Sequence, residues 1–131
     1  MTEWPETFPP SCPPEDAVTP PNGDFYRFVG AESITESDFY NHHELLALGR
    51  VRSRFWDDDC KAAGLSLYRE LEESKKQRQA VGPLRKKLIA RGKIAGSGLS
   101  KHTPSERTPS HHTWWRPVGD EAWKTFSVVA S

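Results

Sequence analysis

The chain has 131 residues, of which 35% are hydrophobic, and a mean hydropathy of −0.73, which fits one small domain with a large polar surface. Its 18 basic and 18 acidic residues cancel, so net charge does not steer the protein toward nucleic acid or a membrane. No apolar run is long enough to cross a membrane, and the first residues lack the basic and apolar regions of a secretory signal, so we expect a soluble cytoplasmic protein.

Proline dominates the start of the chain, where residues 1–23 hold seven of the 11 prolines. Because proline fixes φ and lacks an amide donor, we predict an extended arm over residues 1–23 and a single α+β domain over residues 24–131. The arm is either a disordered tail or a segment that wraps the domain or a partner protein. Cys12 of the arm is far in sequence from Cys60, and both are predicted to be free thiols of a reducing cytosol.

Charge is distributed unevenly along the chain. Residues 1–24 carry five acids and no Lys or Arg, whereas residues 69–101 carry ten bases and three acids. The basic stretch is therefore a candidate surface for the acidic arm or for phosphate groups.

The domain is predicted to open with an aromatic strand over residues 24–29. Arg27, in the middle of this strand, either reaches solvent at a sheet edge or points into a cleft. The pattern Thr35-x-x-Asp38 resembles a capping box, which predicts one helix that ends near Gly49.

Three consecutive acids, Asp57, Asp58 and Asp59, are better placed to cap a short helix over residues 60–63 than to bind Mg²⁺. A short strand over residues 65–68 and a charged surface helix over residues 69–80 follow this cap.

The second half of the domain is predicted to contain three more strands, over residues 87–94, 110–115 and 123–129. Residues 95–110 are predicted to be a long loop, in which Gly96-Ser97-Gly98 is a weak candidate for a phosphate loop. This mixed order of strands and helices predicts an α+β fold with a small, largely antiparallel sheet and two or three helices.

The hexapeptide Ser110-His111-His112-Thr113-Trp114-Trp115 places two imidazoles and two indoles in one strand. Side chains alternate along a strand, so His112 and Trp114 share one face and His111 points to the other. Either the indoles pack the sheet beside polar histidines, or one face lines a cleft with a histidine that titrates near neutral pH. Because adjacent histidines diverge and no Cys or carboxylate lies at ligand spacing, we predict no metal site.

Several segments between residues 25 and 115 resemble a family of uncharacterised small bacterial proteins. The matching segments are Phe25-Tyr26-Arg27-Phe28-Val29, Ser37-Asp38-Phe39, residues 60–68, Ile89-Ala90-Arg91-Gly92 and the hexapeptide. The resemblance leaves out the proline-rich arm and implies no established activity.

The chain also resembles the ADP-ribosyltransferase-like fold, in which an early strand carries Arg or His, a second strand carries Ser, Thr or Tyr, and a late element supplies an acid. The corresponding residues here are Arg27, Ser66 with Tyr68, and Glu121. This resemblance implies an NAD-type nucleotide as cofactor and an enzyme of a bacterial toxin or defence system. Under this hypothesis Arg27, Ser66, Tyr68 and His112 are catalytic, and Arg27, Tyr68, His111 and Trp114 bind the cofactor.

Two other functions compete with this hypothesis. One is a non-enzymatic protein-binding or regulatory module that uses residues 1–23 and the basic surface over residues 69–101. The other is nucleic-acid binding through residues 85–93, with Trp114 or Trp115 stacking on bases, which the neutral net charge disfavours.

Overall fold

Two antiparallel sheets of three strands each organise the part of the chain that the computed structural model describes, residues 3–51 and 58–131. The strands are β1 (Phe25–Val29), β2 (Leu65–Leu67), β3 (Leu88–Gly92), β4 (Leu99–His102), β5 (His112–Trp115) and β6 (Ser127–Ala130). The first sheet has the order β1-β3-β6 and the second the order β2-β5-β4. The predicted α+β class is confirmed, although two small sheets take the place of the single sheet that the sequence suggested.

The two sheets meet where β1 passes the end of β2. Tyr26 and Tyr68 exchange backbone hydrogen bonds of 2.7 and 2.9 Å. Apolar side chains from both sheets then pack into one core. Its buried members are Phe25, Val29, Phe39, Leu65, Leu67, Ala90, Ile94, Trp114 and Phe126.

The single helix predicted over residues 35–49 is wrong, because the segment forms two helices. A 3-10 helix spans Glu36–Phe39, and α1 spans His42–Ala47. Asn41 separates them because it caps α1: its side chain accepts a hydrogen bond from the Glu44 amide at 2.8 Å, and Asn competes with helix continuation in this way.

The next two helices agree with the sequence-based expectation. Helix α2 spans Asp59–Ala63, and the Asp58 carboxylate caps it by accepting from the amides of Cys60 and Lys61. Asp57, which was predicted to share this role, lies outside the described residues. Helix α3 spans Leu71–Ala80, and no helix in the described ranges is long and apolar enough to cross a membrane.

The predicted loop over residues 95–110 is wrong in its first part, where β4 pairs with β5 as an edge strand. Its sequence, Leu-Ser-Lys-His, carries a weak strand signal, so the pairing with β5 supplies the stability. The final strand is also shorter than predicted, because a 3-10 helix over Ala122–Thr125 precedes β6.

The proline-rich arm lies against the domain. Val18 and Ser100 exchange two backbone hydrogen bonds of 2.8 and 2.7 Å, so the arm extends the β4 edge. The prediction of free thiols is wrong, because Cys12 and Cys60 form a disulfide. The two cysteines are 48 residues apart in sequence and come into contact only because the arm folds back onto α2, so the bond could not be predicted from their spacing.

Candidate functional site

Arg27 projects from β1 toward the core side of the sheet and is held from two directions. Its Nε donates to the Asp38 carbonyl at 2.9 Å and its Nη1 to the Ser66 carbonyl at 3.0 Å. The guanidinium also lies 5.3 Å from the centroid of the Phe39 ring. Desolvation by burial lowers the pKa of Arg27 to about 10, so the group remains cationic at neutral pH. Arg27 is therefore half-buried and fixed, and does not extend into solvent from a sheet edge.

Arg27 lines a cavity of about 310 Å³, which lies within the size range of small-ligand sites. We call it the Arg27 cavity. Two further bases, Arg50 and Lys87, line it, and both side chains are exposed. Its other lining residues are Phe28, Val29, Ser37, Asp38, Tyr40, Leu45 and Val51.

The charge balance of the Arg27 cavity is positive. Arg27, Arg50 and Lys87 make no ion pair with any residue that the structure describes. The one carboxylate among the described lining residues, Asp38, accepts hydrogen bonds from the amides of Gly30 and Thr35 at 3.2 and 2.9 Å. Three bases and one carboxylate among the described lining residues favour an anionic ligand.

Tyr68, at the end of β2, lies one side chain away from the Arg27 cavity. Its ring contacts Phe28, a lining residue, with centroids 5.5 Å apart, and contacts the His111 ring at 5.2 Å. Tyr68 is 5% exposed, and desolvation raises the pKa of its hydroxyl to about 12. The phenol is therefore neutral, and its buried ring supports Phe28 without offering a face to a ligand.

His111 lies on the far side of Tyr68. Its Nδ1 is 3.0 Å from the Thr103 carbonyl and 2.7 Å from the Thr103 hydroxyl. A carbonyl can only accept, so we assign the proton to Nδ1 and the lone pair to Nε2. Burial lowers the pKa of His111, which favours this neutral form at pH 7.

His112 points to the opposite face of β5, as the alternation of the strand predicts. Its ring meets the edge of Phe25 at 5.4 Å and stacks on His102 at 4.8 Å. Its Nδ1 donates to the Ser110 carbonyl at 2.9 Å. His112 therefore does not line the Arg27 cavity.

Three other predicted site residues lie outside the Arg27 cavity. Ser66 is an exposed residue, and it contacts Arg27 only through its backbone carbonyl, which accepts a hydrogen bond from the guanidinium. Trp114 is wholly buried, and its Nε1 donates to the Ser97 carbonyl at 2.8 Å. The assignment of Trp114 to cofactor binding stays a prediction, and in this structure neither its ring nor that of Trp115, 3% exposed, offers an exposed face.

Glu121, the acid implied by the resemblance to ADP-ribosyltransferases, lines a different cavity of about 720 Å³. The Gly96-Ser97-Gly98 segment lines this second cavity too. The buried Asp120 also lines this cavity. Its carboxylate accepts hydrogen bonds from the Ser97 hydroxyl, the Arg116 Nε and the amide of Ala122. Within the described residues, no three His, Cys, Asp or Glu side chains converge as a metal site.

Arg27 was predicted from the sequence, but the residues that surround it were not. Arg50 follows the end of α1 and Lys87 precedes β3, so only tertiary folding brings them to β1. Phe28 and Tyr40 gave aromatic signals that fit a core equally well. The unusual Arg in an apolar strand was the one usable signal.

Comparison of the chain with protein-family models, with curated proteins and with solved structures found no match. The resemblances to small bacterial proteins and to the ADP-ribosyltransferase-like fold therefore stay predictions.

Proposed function

We propose that the protein binds an NAD-type nucleotide, with the phosphate groups of the ligand in the Arg27 cavity. The observation that carries this proposal is the convergence of Arg27, Arg50 and Lys87 on one cavity without ion-pair partners among the described residues. Uncompensated bases that face one another are unfavourable unless an anion joins them, and a diphosphate supplies such an anion.

Arg27 is suited to hold a phosphate because two of its nitrogens are already anchored. The carbonyls of Asp38 and Ser66 fix the plane of the guanidinium. Its Nη2 donates to no described residue and is left for a phosphate oxygen. A fixed donor loses little conformational entropy when the ligand binds.

Two aromatic residues extend the cavity beyond its phosphate-binding part. Phe28 and Tyr40 are half-buried lining residues, and an aromatic ring can stack on a nicotinamide or adenine base. Tyr68 and His111 then act as positioning residues, since Tyr68 packs behind Phe28 and His111 behind Tyr68.

ADP-ribosyl transfer in a bacterial toxin or defence system is the enzymatic form of this proposal. An acid beside the nicotinamide ribose would have to come from Asp38, because Glu121 lines the second cavity. The competing function, capture of a partner by the arm, has less support. The arm is bonded to the domain at Cys12 and Val18.

Calorimetric titration of the whole chain with NAD and with ADP tests the proposal. We expect both ligands to bind, and Arg50→Gln to weaken each about tenfold, which is the loss of one charge-assisted hydrogen bond. Arg107→Gln is the matched control, because Arg107 is exposed and lines none of the cavities described above. Nicotinamide release during the NAD titration, with water accepting the ADP-ribosyl group, reports the enzymatic form.

Arg50→Gln is a more decisive variant than Arg27→Gln, because loss of the Arg27 guanidinium would also remove its two hydrogen bonds to the carbonyls of Asp38 and Ser66. Absence of heat for both ligands at about millimolar concentration would contradict the proposal. Equal affinities of wild type, Arg50→Gln and Lys87→Gln would contradict it too.

A further inference from the structure

A second basic surface lies where the chain leaves α3. The Arg78 Nη1 donates to the Lys87 carbonyl at 3.0 Å, and the Arg85 Nε donates to the Gln79 carbonyl at 3.1 Å. These bonds fold residues 81–87 back against the end of α3. We call the resulting surface the basic corner; its bases are Lys76, Arg78, Arg85, Lys86 and Lys87.

The basic corner has no internal charge compensation. Residues 74–105 contain nine bases and no acid. Four of the nine, outside the corner, pair with Glu72, Asp24 or Asp16, whereas the five corner bases form no ion pair with described residues. Arg78 lies in the last turn of α3 and stabilises its dipole. Lys76 precedes that turn, and Arg85 and Lys86 lie beyond the helix, so these three bases gain nothing from the dipole. Clustered like charges cost stability, so this surface needs a reason other than folding.

We propose that the basic corner binds the phosphate backbone of double-stranded nucleic acid. Protein–nucleic acid interfaces are polar and strongly positive, whereas the centre of a protein–protein interface is apolar and poor in Lys. None of the exposed large hydrophobic side chains that the structure describes belongs to residues 76–87, which argues against an acidic protein partner.

The segment that carries the basic corner supplies no aromatic ring of its own for unpaired bases. Residues 69–113 contain no Phe, Tyr or Trp, and single strands are held largely by stacking on aromatic rings. Contacts confined to phosphates position a protein on a duplex without selecting a sequence. The partner is therefore a duplex, bound without sequence preference. The net charge of the whole chain is zero, which disfavoured nucleic-acid binding, but the charge of the basic corner itself is strongly positive.

Fluorescence anisotropy with a labelled duplex of about 20 base pairs, from about 50 to 200 mM salt, tests the inference. The test variant is Lys76→Gln with Lys86→Gln, which leaves Lys87 of the Arg27 cavity unchanged. The control variant is Lys93→Gln with Lys124→Gln, since both of these exposed lysines are already paired with Asp24 and Glu121. Each variant removes two positive charges from the surface.

We expect the slope of log affinity against log salt to become shallower by about 2 in the test variant and to stay unchanged in the control. Equal losses in both variants would overturn the inference, because whole-protein charge would then explain binding. If polyglutamate binds the wild type as tightly as the duplex does, the inference is overturned in favour of an acidic protein partner. If the duplex does not bind even at low salt, the inference is overturned as well. ADP titration of the same variants separates this result from the nucleotide proposal, because none of their substitutions lines the Arg27 cavity.

Discussion

His111 and His112 are neighbours in sequence but occupy different environments. His111 lies between Tyr68 and Thr103 on one face of β5, and His112 lies between Phe25 and His102 on the other. Burial lowers the pKa of both imidazoles. Each donates Nδ1–H to a backbone carbonyl, so the neutral form is the one that the fold accommodates.

Acid should therefore destabilise the fold through these histidines. A histidine whose pKa is lower in the folded than in the unfolded state binds its proton preferentially when unfolded. The contribution of such a histidine to the stability of the fold is fully present above the unfolded pKa of about 6.5, and it is lost as the pH falls below that value. His112 is the better probe, because burial, the His102 ring and the cationic Arg69 each lower its pKa.

We expect the melting temperature to fall less between about pH 8 and pH 5 in His112→Gln than in the wild type. His43→Gln is the control, because the His43 ring contacts only the Asp59 carbonyl and the His42 ring among the described residues and lies outside the core. Thermal unfolding followed by circular dichroism at each pH measures the slopes. An unchanged slope in His112→Gln would show that carboxylates alone set the acid sensitivity.

At the scale of elements, the packing of β3 against the 3-10 helix over Ala122–Thr125 depends on a glycine. A methyl group at Gly92 would lie 2.4 Å from the Phe126 ring and 2.8 Å from the Thr125 hydroxyl. Both distances are shorter than van der Waals contact. Phe126 belongs to the core and is 6% exposed, so its ring has little room to move.

Gly92→Ala is therefore expected to lower the free energy of unfolding by about 1–3 kcal/mol, the usual cost of overpacking. Gly82→Ala is the matched variant, since nothing lies within 4 Å of a methyl group there, and it should change stability by less than about 0.5 kcal/mol. Urea unfolding of both variants measures the difference. Equal stabilities would mean that Phe126 relaxes without cost.

The elements that the sequence predicted well are those with local signals. The aromatic run of β1 and the Asp58 cap of α2 specify their own structure. Strand β4 was missed because its pairing with β5, not its polar sequence, makes it a strand. The split after Phe39 was missed because a capping pattern was recognised at Thr35 but not at Asn41.

The candidate site was predictable only in part for the same reason. Arg27 stands out because a base in an apolar strand needs a partner. Arg50 and Lys87 look like ordinary surface bases in sequence, and the folding of α1 and β3 around β1 gives them their shared cavity. The burial of Trp114 could not be predicted, because an indole beside histidines gives the same sequence signal in a core as in a binding cleft.

At the scale of the whole molecule, the arm and the domain form one covalently closed unit. The Cys12–Cys60 disulfide closes a loop with a sequence separation of 48 residues. This loop contains β1 and α1, so the bond restricts the unfolded chain across the first half of the domain. The surface pair of Asp16 and Lys101 is a second link between arm and sheet, at 2.8 Å.

The disulfide should dominate the stabilisation that the arm provides. Closing a loop of this length removes unfolded-state entropy worth about 4 kcal/mol, whereas an exposed ion pair contributes at most about 1 kcal/mol. We therefore expect Cys12→Ala with Cys60→Ala to lose about 4 kcal/mol of unfolding free energy, and Lys101→Gln to change the unfolding free energy little. Dithiothreitol should destabilise the wild type and Lys101→Gln, but not the double variant.

Urea unfolding with and without dithiothreitol measures all three proteins under identical conditions. A double variant as stable as the wild type would show that Val18 and the other contacts of the arm hold it without the covalent bond. Such a result would also separate the arm from the fold energetically. It would restore the possibility that residues 1–23 detach to contact another protein, which the closed unit described above disfavours.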